Sequence, residues 1–275
     1  MRIALTGATG LVGQFIARRA LADGHALVAL GRPSSWGGEA RPWRLGEPAP
    51  LQGCDALVHC AFAHVAGRYR GGEGDDPAGF LALNLDGTLR LWEDAEGLPT
   101  VFLSSRAVYD GQPPGTPLHE GLALAPTSLY GRAKAAAEAA LHARGGASLR
   151  ATGVYGPPAP GQRHKWADLF ESFARGGRIT PARATEVHGD DVARAALLLI
   201  GEGGPFNCSD LILDRHDLLR LWSEASGVTG PLPERSTDSP NEMSCARLRA
   251  RGWAPGGLPL LRAALAAMAS ARTDP

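Results

Sequence analysis

Arg2-Ile3-Ala4-Leu5 leads directly into Thr6-Gly7-Ala8-Thr9-Gly10-Leu11-Val12-Gly13, and a helical apolar period runs on from there to Ala22. A short apolar run, a glycine-rich turn and a 3.6-residue period predict strand, tight loop and helix in that order. The glycines are spaced GxxGxxG. Gly7 and Gly10 let the backbone turn sharply and come close to a pyrophosphate, and Gly13 lets the helix pack against the strand. The start of that helix offers unpaired N–H groups and the positive end of its dipole to an anion. Gly7, Thr9, Gly10, Leu11 and Val12 are therefore the candidate dinucleotide-binding positions. Glycines alone serve any tight turn; the strand before them and the helix after them carry the reading.

Outward from this unit, strands and helices alternate. Strands are predicted at His25–Leu30, Pro42–Leu45, Asp55–Cys60, Thr100–Ser104 and Ser148–Val154, with helices at Phe80–Ala95 and Ser128–Ala143. That alternation predicts an α/β fold, a Rossmann-type doubly wound parallel sheet with a small C-terminal substrate lobe. After Tyr155 the chain becomes rich in Pro and Gly. Helices are expected near 166–175, 190–200, 217–226 and 258–271, with a strand at 205–208. Residues 1–154 and 186–206 are assigned to the dinucleotide-binding domain, and 155–185 and 207–275 to the lobe.

Lys and Arg number 28, Asp and Glu 28, so the formal net charge is zero. Nucleic-acid or anionic-membrane binding calls for a basic excess, so neither partner is expected. No apolar run approaches the ~20 residues that span a bilayer, and the N-terminus reads as a strand rather than a leader, which points to the cytoplasm. Cys54, Cys60, Cys208 and Cys245 show no metal-ligand spacing and read as reduced structural residues; no metal site is expected.

Only two of the 28 basic residues are lysines, Lys134 and Lys165. Where either cation serves, this chain uses arginine. Tyr130 and Lys134 stand four apart, on one face of a predicted helix. A phenol is a poor base at neutral pH, because its pKa is ~10. A neighbouring ammonium favours the phenolate, so Tyr130 can take a proton from an alcohol or return one to a carbonyl. With four tyrosines and two lysines in 275 residues, that spacing is rarely accidental. Ser104-Ser105 ends a strand at the carboxyl edge, where open α/β sheets place their sites; a hydroxyl there either caps the loop or polarises a substrate oxygen. At the end of the second strand stands Leu30-Gly31-Arg32-Pro33, with no carboxylate. An acidic residue at that point reads a ribose 2′-hydroxyl and an arginine a 2′-phosphate, so Arg32 favours NADP(H), with NAD as the alternative.

These motifs, with Asp55–Ala61, Asn84-Leu85-Asp86-Gly87-Thr88, Leu103–Tyr109, Pro126–Lys134, Gly153-Val154-Tyr155-Gly156-Pro157, Val187–Ala193 and Leu248–Pro255, resemble the extended short-chain dehydrogenase/reductase superfamily in its NAD-dependent epimerase/dehydratase branch. The resemblance implies a catalytic set of Ser105, Tyr130 and Lys134, with Lys134 also on the cofactor ribose. It implies that Leu103 to Ser105 lines the nicotinamide, that Thr152 to Val154 approaches the carboxamide, and that Asn84 lies beside the active site. Cys60, Ala61 and Phe62 would pass near the pyrophosphate and adenosine. It also implies a homodimer through the helices at 80–95 and 128–143.

Three features depart from the sugar-nucleotide members of that branch. Ala184 stands where they usually carry an arginine, three residues before Val187-His188, with Arg183 one position off. The chain is shorter in the lobe. Gly31-Arg32 replaces the acidic ribose reader. The first expectation is therefore an oxidoreductase that exchanges NADP(H) and moves hydride to or from a secondary alcohol or ketone of a sugar or other small molecule. The alternative is a sugar or nucleotide-sugar epimerase/dehydratase that retains NAD. A dinucleotide-binding sensor without catalysis is the third.

Overall fold

A computed structural model describes residues 1–63 and 73–271. The end of the assigned lobe, 272–275, and residues 64–72 lie outside the described residues. The strands are β1 (Arg2–Thr6), β2 (Ala26–Leu30), β3 (Glu39–Arg41), β4 (Ala56–His59), β5 (Thr100–Ser105), β6 (Ala147–Ala151), β7 (Gly153–Tyr155), β8 (Arg183–His188), β9 (Gly204–Cys208) and β10 (Leu211–Asp214). Among the described residues β3-β2-β1-β4-β5-β6-β9 form one parallel sheet. The order reverses between β1 and β4, which opens a crevice beyond their carboxyl ends, where doubly wound folds bind ligands. No helix among the described residues is long and apolar enough to cross a membrane.

Both faces of the sheet are covered, so its strands are apolar almost throughout rather than alternating. Ile3 and Leu5 face one side with α1 (Gly13–Ala22), where Phe15, Ile16 and Ala20 meet Val192, Ala193 and Ala196 of α6 (Gly189–Leu198). Ala4, Val28, Leu57 and Phe102 face the other side. There they pack on Leu91 and Trp92 of α3 (Gly87–Asp94) and on Ala137 and Leu141 of α4 (Leu129–His142). The lobe has its own core. Trp166, Phe170 and Phe173 at α5 (Ala167–Ala174) pack with Trp222 of α7 (Arg215–Ser226) and with Leu261 and Leu265 of α8 (Gly257–Ser270). Phe170 and Trp222 stack at 4.1 Å between ring centroids.

Several elements differ from expectation. The strand predicted at 148–154 is two strands, β6 in the main sheet and β7 in a second sheet of order β10-β8-β7. Thr152 is the hinge; its N–H donates to Cys208 O. The third strand lies at Glu39–Arg41 rather than 42–45, because Pro42 cannot donate to a ladder and Trp43 turns inward to bond Glu47 O. The helix predicted at 80–95 begins earlier, at α2 (Pro77–Leu81). Its N-terminus is set by Asp76 accepting from Gly79 N and by Pro77, and it continues through one π turn at Ala82–Asp86 into α3. β8 and β10 have no counterpart among the predicted strands. Arg183-Ala184-Thr185-Glu186 carries too many polar residues to read as a buried strand.

Candidate active site

The glycine turn lies at the carboxyl ends of β1 and β4. Gly7 has φ +70°, and a Cβ there would come within 2.8 Å of Ala61 N. A Cβ on Gly13 would run into the Gly7 carbonyl. Both positions therefore require glycine, one for backbone conformation and close approach and the other for close approach alone. Gly10 is exposed, and α1 starts behind Val12 with no side-chain cap; Gln14 N and Phe15 N bond Gly10 O and Val12 O, and the N–H groups ahead of them, from Leu11 to Gly13, are the ones placed to meet an anionic ligand. This geometry fits a dinucleotide pyrophosphate.

Thr6 ties the turn to β4. Its Oγ1 accepts from Cys60 N and Ala61 N at 3.0 Å each and lies 2.6 Å from His59 Nδ1. Burial, with the nearby Lys134 charge, brings His59 down to about 3, so the ring is neutral. The consistent assignment has the Thr6 hydroxyl donating to Nδ1 and Nε2–H donating to Thr88 Oγ1 at 3.2 Å. Cys60 and Ala61 are thus pressed against Gly7. Asn84 holds the next residues: its Oδ1 accepts from Ala63 N, and its amide donates to Ala63 O and Phe80 O. The Asn84 side chain shapes this segment, and its contacts are with backbone on both sides.

α4 begins at Ser128, whose hydroxyl accepts from Gly131 N. One turn carries Tyr130 and Lys134 to the carboxyl end of β5. Lys134 is 3% exposed, and its Nζ donates to Leu103 O at 2.7 Å. Nζ also lies 4.4 Å from the ring centroid of Phe102, 4.6 Å from that of Phe62 and 5.8 Å from that of Tyr130. Burial brings the amine down to about 7, while neighbouring Cys60 and Glu138 pull it upward. Tyr130 is half-buried, and its ring meets Phe62 edge-on at 5.0 Å. Phe62 therefore sits against both members of the Tyr–Lys pair.

Ser105 is the last residue of β5 and is paired in register with Ala151. Its Oγ accepts from Ala107 N at 3.2 Å, capping the short turn Arg106–Tyr109, and its own O–H has no acceptor among the described residues. Capping and substrate binding are thus compatible in one hydroxyl. Ser104, on the opposite side of the strand, is buried, and its Oγ has no hydrogen-bond partner among the described residues. Beyond β6, the Thr152 hydroxyl bonds Ser209 Oγ at 3.4 Å, and Val154 is half-buried in β7.

Arg32 follows β2, whose last residue Leu30 pairs with Thr6. It is exposed and makes no ion pair among the described residues. Glycine turn, Ser105, Tyr130, Lys134 and Arg32 all fall along one carboxyl edge. The sequence did not reveal the pairing of Lys165 with Glu186 beside Gly153. The rarity of lysine was the one available signal; nothing marked Glu186.

Residues 3–208 match the NAD dependent epimerase/dehydratase family. A UDP-glucose 4-epimerase of Mycolicibacterium smegmatis is 29% identical over 218 residues, covering 69% of this chain and 66% of its own length. An uncharacterized protein of Mycobacterium tuberculosis is 39% identical over 77 residues, 25% of this chain and 9% of its own. The chain thus matches less than two thirds of the length of either relative. Among solved structures, a UDP-glucose 4-epimerase of Thermotoga maritima with UDP-glucose superposes with TM-score 0.79 at 22% identity over 98% of each chain. MoeE5 in complex with UDP-glucose and NAD superposes with TM-score 0.80 at 22% identity over 99% of each. These two likenesses speak to the shared fold. The first expectation, an exchanging oxidoreductase, receives less support from these relatives than its epimerase alternative.

Proposed function

The chain belongs to the NAD dependent epimerase/dehydratase family, and on that premise we propose that it inverts a carbinol centre of a nucleotide sugar, using a nicotinamide dinucleotide laid along the carboxyl edge of the sheet. The observation that carries this reading is the Tyr130–Lys134 pair, with its amine 5.8 Å from the phenol ring centroid and anchored on Leu103 O.

The N–H groups behind Gly10 would hold the pyrophosphate of a bound dinucleotide, and Lys134 and the Cys60–Phe62 segment would hold the half next to Tyr130. A bound nicotinamide would supply reversible hydride transfer at the sugar carbon, and inversion requires its return to the opposite face. Ser105 donates its free O–H to the reacting oxygen and fixes it in place. Tyr130 removes the hydroxyl proton as the carbon is oxidised and gives it back on reduction. A protonated Lys134 favours the phenolate by its charge, and its burial keeps that charge unscreened by water. Phe62 closes one side of the pair and excludes solvent from it.

Incubating the purified chain with UDP-glucose and following the sugar protons by NMR tests the reading. UDP-galactose should accumulate to equilibrium, and Tyr130→Phe should slow the conversion by about 10²- to 10⁴-fold. Absence of any conversion of UDP-glucose, UDP-galactose or UDP-glucuronic acid by the coenzyme-loaded protein would overturn it.

A second reading rests on Arg32. An exposed guanidinium after β2, with no acidic partner among the described residues, suits a 2′-phosphate. That favours NADP(H) and a reaction with net redox. Net appearance of reduced coenzyme during turnover, with no epimer formed, would select this reading over the first.

A further inference from the structure

The second lysine of the chain lies where the two sheets part. Lys165 Nζ is ion-paired with Glu186 Oε2, and the pair sits directly over the α-carbon of Gly153. A Cβ at 153 would overlap both the amino nitrogen and the carboxylate, so glycine leaves the pair room to lie against the backbone there. Gly153 is two residues beyond Ala151, the register partner of Ser105, and pairs with Glu186 between β7 and β8. The pair is thus set at the same carboxyl edge as the proposed reacting oxygen. The loop that carries Lys165 is also tied to the glycine turn. Gln162 Nε2 donates to Thr9 O at 2.7 Å, and Gln14 Nε2 donates to Pro157 O at 3.1 Å.

The hydrogen-bond inventory of the pair is incomplete. Glu186 uses Oε2 for Lys165, while Oε1 has no partner among the described residues and is not sealed from solvent. The Lys165 ammonium has three N–H donors and gives one to Glu186. Its side chain is 28% exposed, against 7% for Glu186, so the lysine is the more accessible member of the pair. A paired ammonium and carboxylate carry no net charge, so they offer little to a diphosphate. They do present a donor and an acceptor side by side. Neighbouring sugar hydroxyls, each able to accept and to donate, complement that array. An arginine would present a wide planar fork instead of a compact donor cluster, which suits a lysine at this position in a chain whose basic residues are otherwise arginine apart from Lys134.

We infer that Lys165 and Glu186 form a specificity site that reads non-reacting hydroxyls of the sugar ring. The inference rests on the nucleotide-sugar reading and deepens it. The chemistry assigned to the pair is hydrogen bonding alone; neither residue exchanges a proton with the substrate.

The test compares the coenzyme-loaded wild-type protein with Lys165→Met/Glu186→Gln, which removes both charges together and leaves no lone buried ion. Affinities for UDP-glucose and for its 2-deoxy, 3-deoxy and 6-deoxy analogues are measured by calorimetry, with kcat/KM wherever turnover occurs. In the wild type, loss of at least one hydroxyl should weaken binding by about 10- to 100-fold, the range for a hydrogen bond to a charged group. In the double variant the same deletion should cost less than about threefold, with coenzyme affinity unchanged. Should that variant not give a cooperative melt, Lys165→Gln/Glu186→Gln takes its place. An equal deletion penalty in both proteins overturns the assignment of the pair while leaving the nucleotide-sugar reading intact. Failure of the wild type to bind any of the four ligands overturns that reading and this assignment with it.

Discussion

Arg150 on β6 grips Glu138 on α4 through three N–H···O contacts of 3.0, 3.0 and 2.6 Å, with side chains only 4% and 1% exposed. Arg150 Nη1 also donates to the Tyr109 hydroxyl at 2.5 Å, and that hydroxyl is bonded in turn to Asn207. Glu138 stands one turn beyond Lys134. The clamp therefore fixes the rotation of the helix that presents Tyr130 and Lys134, and it joins that helix to β6 and β9.

Cutting one side of the clamp leaves a buried charge without compensation. Glu138→Gln or Arg150→Met should lower unfolding free energy by about 3–5 kcal/mol. Replacing both with apolar residues should recover much of the loss. Urea denaturation of the two single variants and the double variant checks this; strictly additive losses would refute the coupling.

Tyr130→Phe removes the proton acceptor and keeps the ring against Phe62. Turnover should fall by about 10²- to 10⁴-fold. Coenzyme affinity, measured by fluorescence titration, should stay within about threefold, because the phenol acts on the substrate. A variant that retains wild-type kcat would remove Tyr130 from the chemistry.

Lys134 titrates lower in the fold, about 7, than its ordinary value of 10.5. Between those two values the unfolded chain binds the extra proton, so stability of the coenzyme-free protein should rise with pH across that window. Below about pH 7 the cost of the buried charge is constant and greatest. Lys134→Met lacks this dependence. Melting temperatures of the two proteins, compared from pH 6 to about 10.5, should show the wild type gaining on the variant as pH rises; parallel curves would refute it.

His59 behaves alike in the acid range. It is lowered from 6.5 to about 3, so the unfolded chain binds the proton first as pH falls. Stability should decline from about pH 6.5 toward 3, and less steeply in His59→Gln. The expected difference is on the order of 2–4 kcal/mol at the acid end, read from pH-dependent denaturation midpoints.

Arg32→Ser should reduce affinity for NADP by about tenfold or more and leave NAD nearly unchanged, if the guanidinium meets a 2′-phosphate. Equal effects on both coenzymes, measured by thermal shift and calorimetry, would place Arg32 outside the ribose site.

The sequence by itself determined the α/β alternation, the glycine turn and the Tyr–Lys spacing. All three are local: a strand, a turn and a helix period are written in neighbouring residues, and a four-residue helical offset places two side chains on one face. Tertiary structure decided the rest. The split of 148–154 into two strands depends on which sheet each half finds, as with Thr152 against Cys208. Phe62 reaches Tyr130 only because Thr6 and Asn84 bend the chain after β4. The strand Arg183–His188 and the Lys165–Glu186 pair join residues far apart in the chain, and polar side chains acquire a buried partner only when the fold brings one. No periodicity encodes such a meeting, because its energy lies in contacts between segments and not within any one of them.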